Sequence, residues 1–559
     1  MSVTKASATE TEYATPLPDH HQEEHDGNGS KDIAASFLAK NVAGQRISVT
    51  PAESARVLRR IDAVILPIML TVYFLQGLDK TTLAYASVFG LIEDTGLVGD
   101  QYSWLGSIVY LAQLVMQPPL AWLLVRLPIA KFTSAMVLLW GISLTCMAAA
   151  HNFDSLLATR FFLGVFEASV APSFVAITQM WWRRREQTCI ATSKTTPEDV
   201  QDGIKYVNIV PYSAMNGFTN MFGSLITYGL GHISSQLRSY QIIFLFFGII
   251  TVAYSFIMLA FMPDSPVEAK FLSDEDKLIA VERLRMNQMG VVSREWRNDH
   301  LKEALLDPKS WLWFALLFSI SIPSGGISTF GPLIIKTFGF DPFGTILFNI
   351  PFGFVQLVAT VGGALVAQKI KMKGPVIAAL CLPPIAGCVM LMVLPRDVSH
   401  RAPLLAGYYL ISVYPGITPL IYSWASQNTA GDTKKKCTNA ILFIGQSVGN
   451  VVGPMLYSQT EAPGYTKGLR SNLALYIVLN AGHAKRRVAM GKSAVIVDTS
   501  LDSAEVAAAQ QTRDDVDKNA KNAEEGDVAV ASNEGVERPG ERAFENLTDL
   551  QNEEFVFVF

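Results

Sequence analysis

Apolar residues in this chain come in runs, and the runs have the length of a bilayer. The pattern predicts membrane spans at about 63–90, 102–124, 132–150, 155–182, 212–233 and 242–262. After a charged segment at 264–309 come further spans at 311–337, 343–367, 376–394, 404–425 and 438–457. Each holds roughly 20 apolar residues, enough at ~1.5 Å per residue to cross ~30 Å of hydrocarbon. A last apolar fragment, 473–480, is different. As a helix it reaches only ~12 Å, and it runs straight into the basic stretch AGHAKRRVAMGK.

Polar residues divide the chain into five parts. Residues 1–55 are rich in Thr, Ser, Glu, Asp and His and read as a disordered cytosolic tail. A first helical bundle covers 56–263, a cytosolic loop 264–310, a second bundle 311–480 and a polar tail 481–559. The start of the chain is polar, so the first apolar run, not a cleavable signal, is expected to direct insertion. Lys and Arg cluster at Arg56, Arg59, Arg60, Arg126, Lys131, Arg183, Arg184, Arg185, Lys369, Lys371, Lys373, Lys434, Lys435 and Lys436. All of these share one side if the N-terminus is cytosolic, as the positive-inside rule expects.

Composition sharpens the class. Of 559 residues, 50% are hydrophobic and 17% charged, below the ~25% charge of ordinary soluble domains. This is an all-α, polytopic membrane protein by pattern. Cys146, Cys189, Cys381, Cys388 and Cys437 show no metal or disulfide spacing. His20, His21 and His25 lie in the polar tail and read as solvated. No phosphate-binding loop or dinucleotide fingerprint is present, so neither ATP nor a cofactor is expected, and the chain does not read as an enzyme. A nucleic-acid partner is not indicated.

Against that background, ionic residues inside spans stand out. Asp79 and Lys80 sit side by side near the end of the first span. Lipid-facing, each would cost ~2.5–3.5 kcal/mol on insertion scales, so they are expected to face a cargo path. Arg160 and Glu167 are seven apart in the fourth span, nearly the same helix face. Lys80 and Arg160 could hold a substrate carboxylate, Arg by two parallel hydrogen bonds and Lys as a point charge. Asp79 and Glu167 would accept the coupled proton. The competing reading makes Asp79–Lys80 and Arg160–Glu167 structural pairs, although neighbours on a helix do not share a face. Asn216, Gln446 and Asn450 lie in Gly-rich stretches and are candidates for cargo contact; hydrogen bonding between helices is the plainer explanation for such amides. Pro172 precedes Trp181 by nine residues, and Pro415 precedes Trp424 by the same interval. Matched kinks of this kind suit cavity-lining helices in duplicated halves.

The text of the spans then resembles a known family. YFLQGLDKTTLAYASVFGL (73–91), QYSWLGSIVYLAQLV (101–115), RFFLGVFEASVAPSF (160–174), MPDSP (262–266), GQSVGNVVGP (445–454) and EAPGYTKG (461–468) are similar to the fungal allantoate permease family. That family belongs to the anion:cation symporter group of the major facilitator superfamily. The resemblance implies two six-helix bundles around a central cavity, with the last helix truncated here. It implies a multi-pass protein of the plasma membrane, with both termini cytosolic in an intact relative, and a monomer. Its cargo would be a small carboxylate such as allantoate, ureidosuccinate, nicotinate or pantothenate, moved with protons. Two departures accompany it. The loop PPLAWLLVRLPIAKF lacks the family's Asp, and residues 189–211 form a polar insertion that reads as a retained intron or another gene-model error in preference to a genuine cytosolic loop. The expected function is therefore proton-coupled symport of a small organic anion by alternating access. The alternative is a nutrient sensor without flux, or an inactive product of a mis-spliced gene.

Overall fold

A computed structural model describes residues 50–182, 215–288, 298–370, 372–429 and 432–489. The polar tail up to residue 49, the insertion at 189–211 and the tail beyond 489 lie outside them. The described residues form helices joined by short turns. Helix α1, Pro51–Val88, is 38 residues long and begins inside the stretch expected to be tail. Its start is built by a capping box, in which Glu53 N donates to Thr50 Oγ1 and Thr50 N donates to the Glu53 carboxylate, with Pro at the first position.

The first bundle continues with α2 (Gln101–Arg126), α3 (Ile129–Cys146), α4 (Phe153–Glu167), α5 (Val170–Trp181), α6 (Met215–Gly231) and α7 (Ser239–Phe261). Two helices, α8 (Asp274–Gln288) and α9 (Asn298–Leu306), occupy the segment between bundles. The second bundle comprises α10 (Pro308–Lys336), α11 (Pro342–Leu347), α12 (Asn349–Ile370), α13 (Gly374–Val393), α14 (Arg401–Ile411), α15 (Ile417–Gln427), α16 (Asp432–Met455) and α17 (Thr466–Ala489). Among the described residues, eight helical stretches are long and apolar enough to cross a membrane. Three of the helices outside that set, α2, α6 and α16, form much of the seam between bundles, where polar side chains face inward.

Spans 4 and 10 are both broken. The α4–α5 junction at Ala168 and Ser169 lies just before Pro172, and α14 gives way to a 3-10 turn, Tyr414–Gly416, that contains Pro415 before α15 resumes. The segment between bundles is not a plain loop. Asp276 of α8 is buried and pairs with Arg56, at 3.0 Å, and with Arg60 of α1. On α16, the buried Lys434 lies 2.8 Å from Glu303 of α9 and 3.0 Å from Asp307. Each half of the segment is thus fastened to its own bundle. The loop between α2 and α3, which lacks the family's Asp, is tied to Asp264, which follows α7. The Asp264 carboxylate lies 2.9 Å from Lys131 Nζ and accepts the backbone N–H of Ala130 at 2.9 Å, capping α3.

The last helix is longer than its apolar fragment. It runs 24 residues, ~36 Å, because polar residues extend it at both ends. Leu469, Asn472 and Tyr476 are buried, and Asn472 Nδ2 donates to Tyr457 Oη at 2.8 Å. The apolar content remains short, as the sequence indicates; the helix does not.

The bundles meet at the end where α1 finishes. Ser103 Oγ donates to Tyr457 O and Ser107 Oγ to Val451 O, both at 2.7 Å, and Tyr102 Oη donates to Thr329 O at 2.9 Å. Lys336 stands 3.8 Å from Glu93, and the Phe89 and Phe343 rings meet edge to face. Near the first turns of α6 and α12, the two helices cross at Gly217 and Gly353. A Cβ on Gly217 would sit 2.6 Å from Gly353 O, so only glycine permits that approach.

Candidate functional site

A cavity of 440 Å³ lies between the bundles. From the first bundle it is lined by Lys80, Gln113, Glu167, Asn216 and Asn220, and from the second by Asn349, Gln356, Tyr422, Gln446 and Asn450. The broken spans contribute Ala168 and Ala171 on one side and Pro415 on the other. A water-sized cleft adjoins it, lined by Asp79, Lys80, Tyr110, Arg160, Glu167, Ser328 and Thr329. The four ionic residues expected from the sequence therefore do converge, but in two layers.

Their pairing is crossed relative to the expectation of neighbouring or same-helix partners. Lys80 Nζ lies 3.7 Å from Glu167 Oε1, and Arg160 Nη1 lies 3.9 Å from Asp79 Oδ1. The helical repeat explains this. Successive residues of α1 project ~100° apart, so Asp79 turns into the bundle while Lys80 turns to the cavity. Exposure separates the layers: the Lys80 side chain is 36% accessible, against 5% for Arg160, 1% for Asp79 and 0% for Glu167. Arg160 also donates from Nε to Leu105 O at 3.2 Å. It lines the cleft and not the main cavity, so the bidentate grip on cargo expected of it has no direct geometry here.

Sequence reasoning missed Trp140. It is fully buried on α3, and its Nε1–H donates to Asp79 Oδ2 at 2.9 Å. A buried indole N–H needs an acceptor, and that rule was the available signal. Asp79 is thus held on two sides, whereas the Glu167 oxygens accept no hydrogen bond among the described residues and form an ion pair with Lys80.

The three amides expected to touch cargo, Asn216, Gln446 and Asn450, all line the cavity. Gln446 accepts from Tyr422 Oη at 2.6 Å, and Asn450 Oδ1 is buried with no hydrogen-bond partner among the described residues. A polar knot that the sequence did not disclose closes the cavity toward the sealed end. Asn349 Nδ2 donates to Tyr85 Oη at 3.1 Å, Tyr85 Oη contacts Ser224 Oγ at 3.1 Å, and Tyr408 Oη donates to Asn349 Oδ1 at 3.3 Å. Asn220 Nδ2 donates to Gln356 Oε1 across the seam at 2.6 Å. No group of His, Cys, Asp and Glu among the described residues has the arrangement to hold a metal ion.

Two helical bundles enclosing a polar cavity, with ionic side chains buried at membrane depth, define a membrane transporter of the two-bundle secondary class. The chain belongs to the Major Facilitator Superfamily, which it matches over residues 69–192 and 209–454. It is similar to an uncharacterised transporter of Schizosaccharomyces pombe, 33% identical over 458 residues, covering 82% of this chain and 83% of that one. A thiamine pathway transporter of Saccharomyces cerevisiae is 32% identical over 454 residues, covering 78% and 82%. The allantoate permease of Saccharomyces cerevisiae is 29% identical over 450 residues, covering 78% and 79%. Among solved structures, a bacterial homologue of the human lysosomal transporter Spinster, inward-facing and occupied, shares the fold at TM-score 0.55 and 15% identity, over 77% of this chain and 97% of that one. Members of this superfamily are transporters, not enzymes.

Proposed function

We propose that this chain imports a small organic anion together with a proton, by alternating access, and that the cargo is allantoate or a related ureido- or monocarboxylate. The observation that carries the reading is Lys80: a cation on the cavity wall whose counter-charge, Glu167, comes from a different helix. A cargo carboxylate arriving at Lys80 competes with Glu167 for the same ammonium. Protonation of Glu167 removes that competitor and leaves the cavity one positive charge for one negative cargo. Arg160, Asp79 and Trp140 form the layer behind, where Arg160 positions the acid pair and Asp79 is the second proton acceptor. Asn216, Gln446 and Asn450 contact the neutral part of the cargo. The likeness to an allantoate permease supports a ureido-carboxylate among possible anions.

Energetics favour the coupling. Moving a lone anion into a negative cell costs ~2.3 kcal/mol per 100 mV, and a proton carried with it cancels that term. The end of the molecule that carries Arg56, Arg60, Lys131 and Lys434 faces the cytosol in this reading, by the positive-inside rule. With the opposite end sealed, the conformation is inward-facing in this reading; the proposed setting is the plasma membrane and the proposed state a monomer. The test is labelled allantoate uptake in cells lacking their own allantoate transport. Uptake is expected to be higher at pH 5 than at pH 7, to collapse with an uncoupler, and to vanish in Lys80→Ala at unchanged surface expression. Uptake indifferent to pH and uncoupler defeats the coupling, and full activity in Lys80→Ala removes the lysine from the site.

A further inference from the structure

One side chain of the polar knot serves both bundles. Asn349, on α12 of the second bundle, is buried. Its Nδ2 donates to Tyr85 Oη of α1 at 3.1 Å and to Ser224 Oγ of α6 at 3.4 Å, both in the first bundle. Its Oδ1 accepts from Tyr408 Oη of α14, in its own bundle, at 3.3 Å. The three hydroxyl residues are buried as well. Along α6, Ser224 follows Gly217 and Asn220 at helical spacing, and those two meet Gly353 and Gln356 of α12. The seam therefore runs from the glycine crossing up to Asn349. We propose that Asn349 is the latch that holds the outer end shut, its amide replaced by water when the molecule turns outward. That this end is the outer one rests on the orientation given above; the identity of the cargo does not enter.

A residue biases two states only through interactions that differ between them. Two other hydrogen bonds across the seal end on Thr329 O and Val451 O, which lie within α10 and α16, where a carbonyl already accepts from the next turn. The Asn349 amide instead serves side-chain hydroxyls. Asn349→Leu keeps the volume and removes both ends of the amide. In the closed state Tyr85, Ser224 and Tyr408 stay buried and lose that partner. In the open state the same hydroxyls meet water. The closed state alone is destabilised.

The test labels intact cells from outside with a membrane-impermeant thiol reagent. The reporter is Ser328→Cys, which lines the cavity beside the Thr329 contact. It is placed in a Cys146→Ser background, because Cys146 is exposed, and is read against that background alone. Labelling of the reporter chain is expected to be slow, and to quicken about ten-fold with Asn349→Leu. Tyr408→Phe, which removes one hydrogen bond and little volume, is expected to quicken it about three-fold. Tyr409→Phe, whose hydroxyl donates to Phe348 O within the second bundle, should leave it unchanged. Labelling at the reporter rate in Tyr408→Phe, and in any Asn349→Leu protein that reaches the surface, overturns the proposal. So does an equal rise in Tyr409→Phe. Fast labelling of the reporter chain itself overturns the orientation, and this proposal with it.

Discussion

Asp79 and Lys80 are adjacent in the chain and belong to different layers of the site, and that separation sets what each can do. Asp79 is fixed by the Trp140 indole at 2.9 Å and by Arg160, while Lys80 looks into the cavity with Glu167 as its partner. The residue types and their placement in spans were legible, since an ionic side chain at membrane depth is costly unless it faces something polar. The pairing was not. It depends on how α1, α3 and α4 are rotated against one another, which no single helix records. The partner of Trp140 was hidden for the same reason: a buried indole N–H calls for an acceptor, but the sequence does not say which. Trp140→Phe keeps the ring and removes the donor, so Asp79 loses a hydrogen bond to a charged group, worth about 1.5–3 kcal/mol. A lowered melting temperature of the purified protein is expected; an unchanged one means that the indole does not support the carboxylate.

At the scale of elements, proline and glycine mark the working parts. Pro172 and Pro415, read from the sequence as matched kinks, each sit at a break in a span that borders the cavity. The freed backbone groups there are tolerable because the helices line a polar space. Gly217, with Gly223, Gly229 and Gly231, reads in the sequence as a packing or rocking surface; Gly353 carried no such signal, because its partner lies on the other bundle. The backbones of Gly217 and Gly353 touch where α6 crosses α12. Gly217→Ala places a methyl 2.6 Å from Gly353 O, so the bundles must separate there or α6 must shift. Transport is expected to fall at least ten-fold, by the steric cost of overpacking, while protein still reaches the membrane. Wild-type transport in that variant would show that the two helices need not stay in contact. The helices α8 and α9 escaped the sequence reading because their faces are charged, and their anchors, Asp276 and Lys434, find partners far along the chain.

For the whole molecule, the hydrophobic pattern was enough to specify two bundles, since span length is set by the bilayer and not by tertiary contacts. It understated the final helix. Apolar residues alone stop at about 480, but the helix begins at Thr466 and continues to Ala489. From Thr466 to Lys485 is ~28 Å of helix, nearly the hydrocarbon thickness. Helix α17 is thus long enough to reach the opposite interface. An epitope tag after residue 559 is expected to be accessible only in permeabilised cells, on the same side as an N-terminal tag. Labelling of the C-terminal tag in intact cells would mean that α17 does not cross.

The central claim is that cargo and Glu167 share Lys80, so that a proton must move when the anion does. The measurement that reaches it most directly compares wild type with Glu167→Gln in proteoliposomes, following labelled allantoate. Both proteins should exchange internal for external allantoate, because Lys80 is free in the variant. Accumulation driven by an inward proton gradient should appear in the wild type and be absent in Glu167→Gln. A variant that still accumulates allantoate against its gradient would contradict the account.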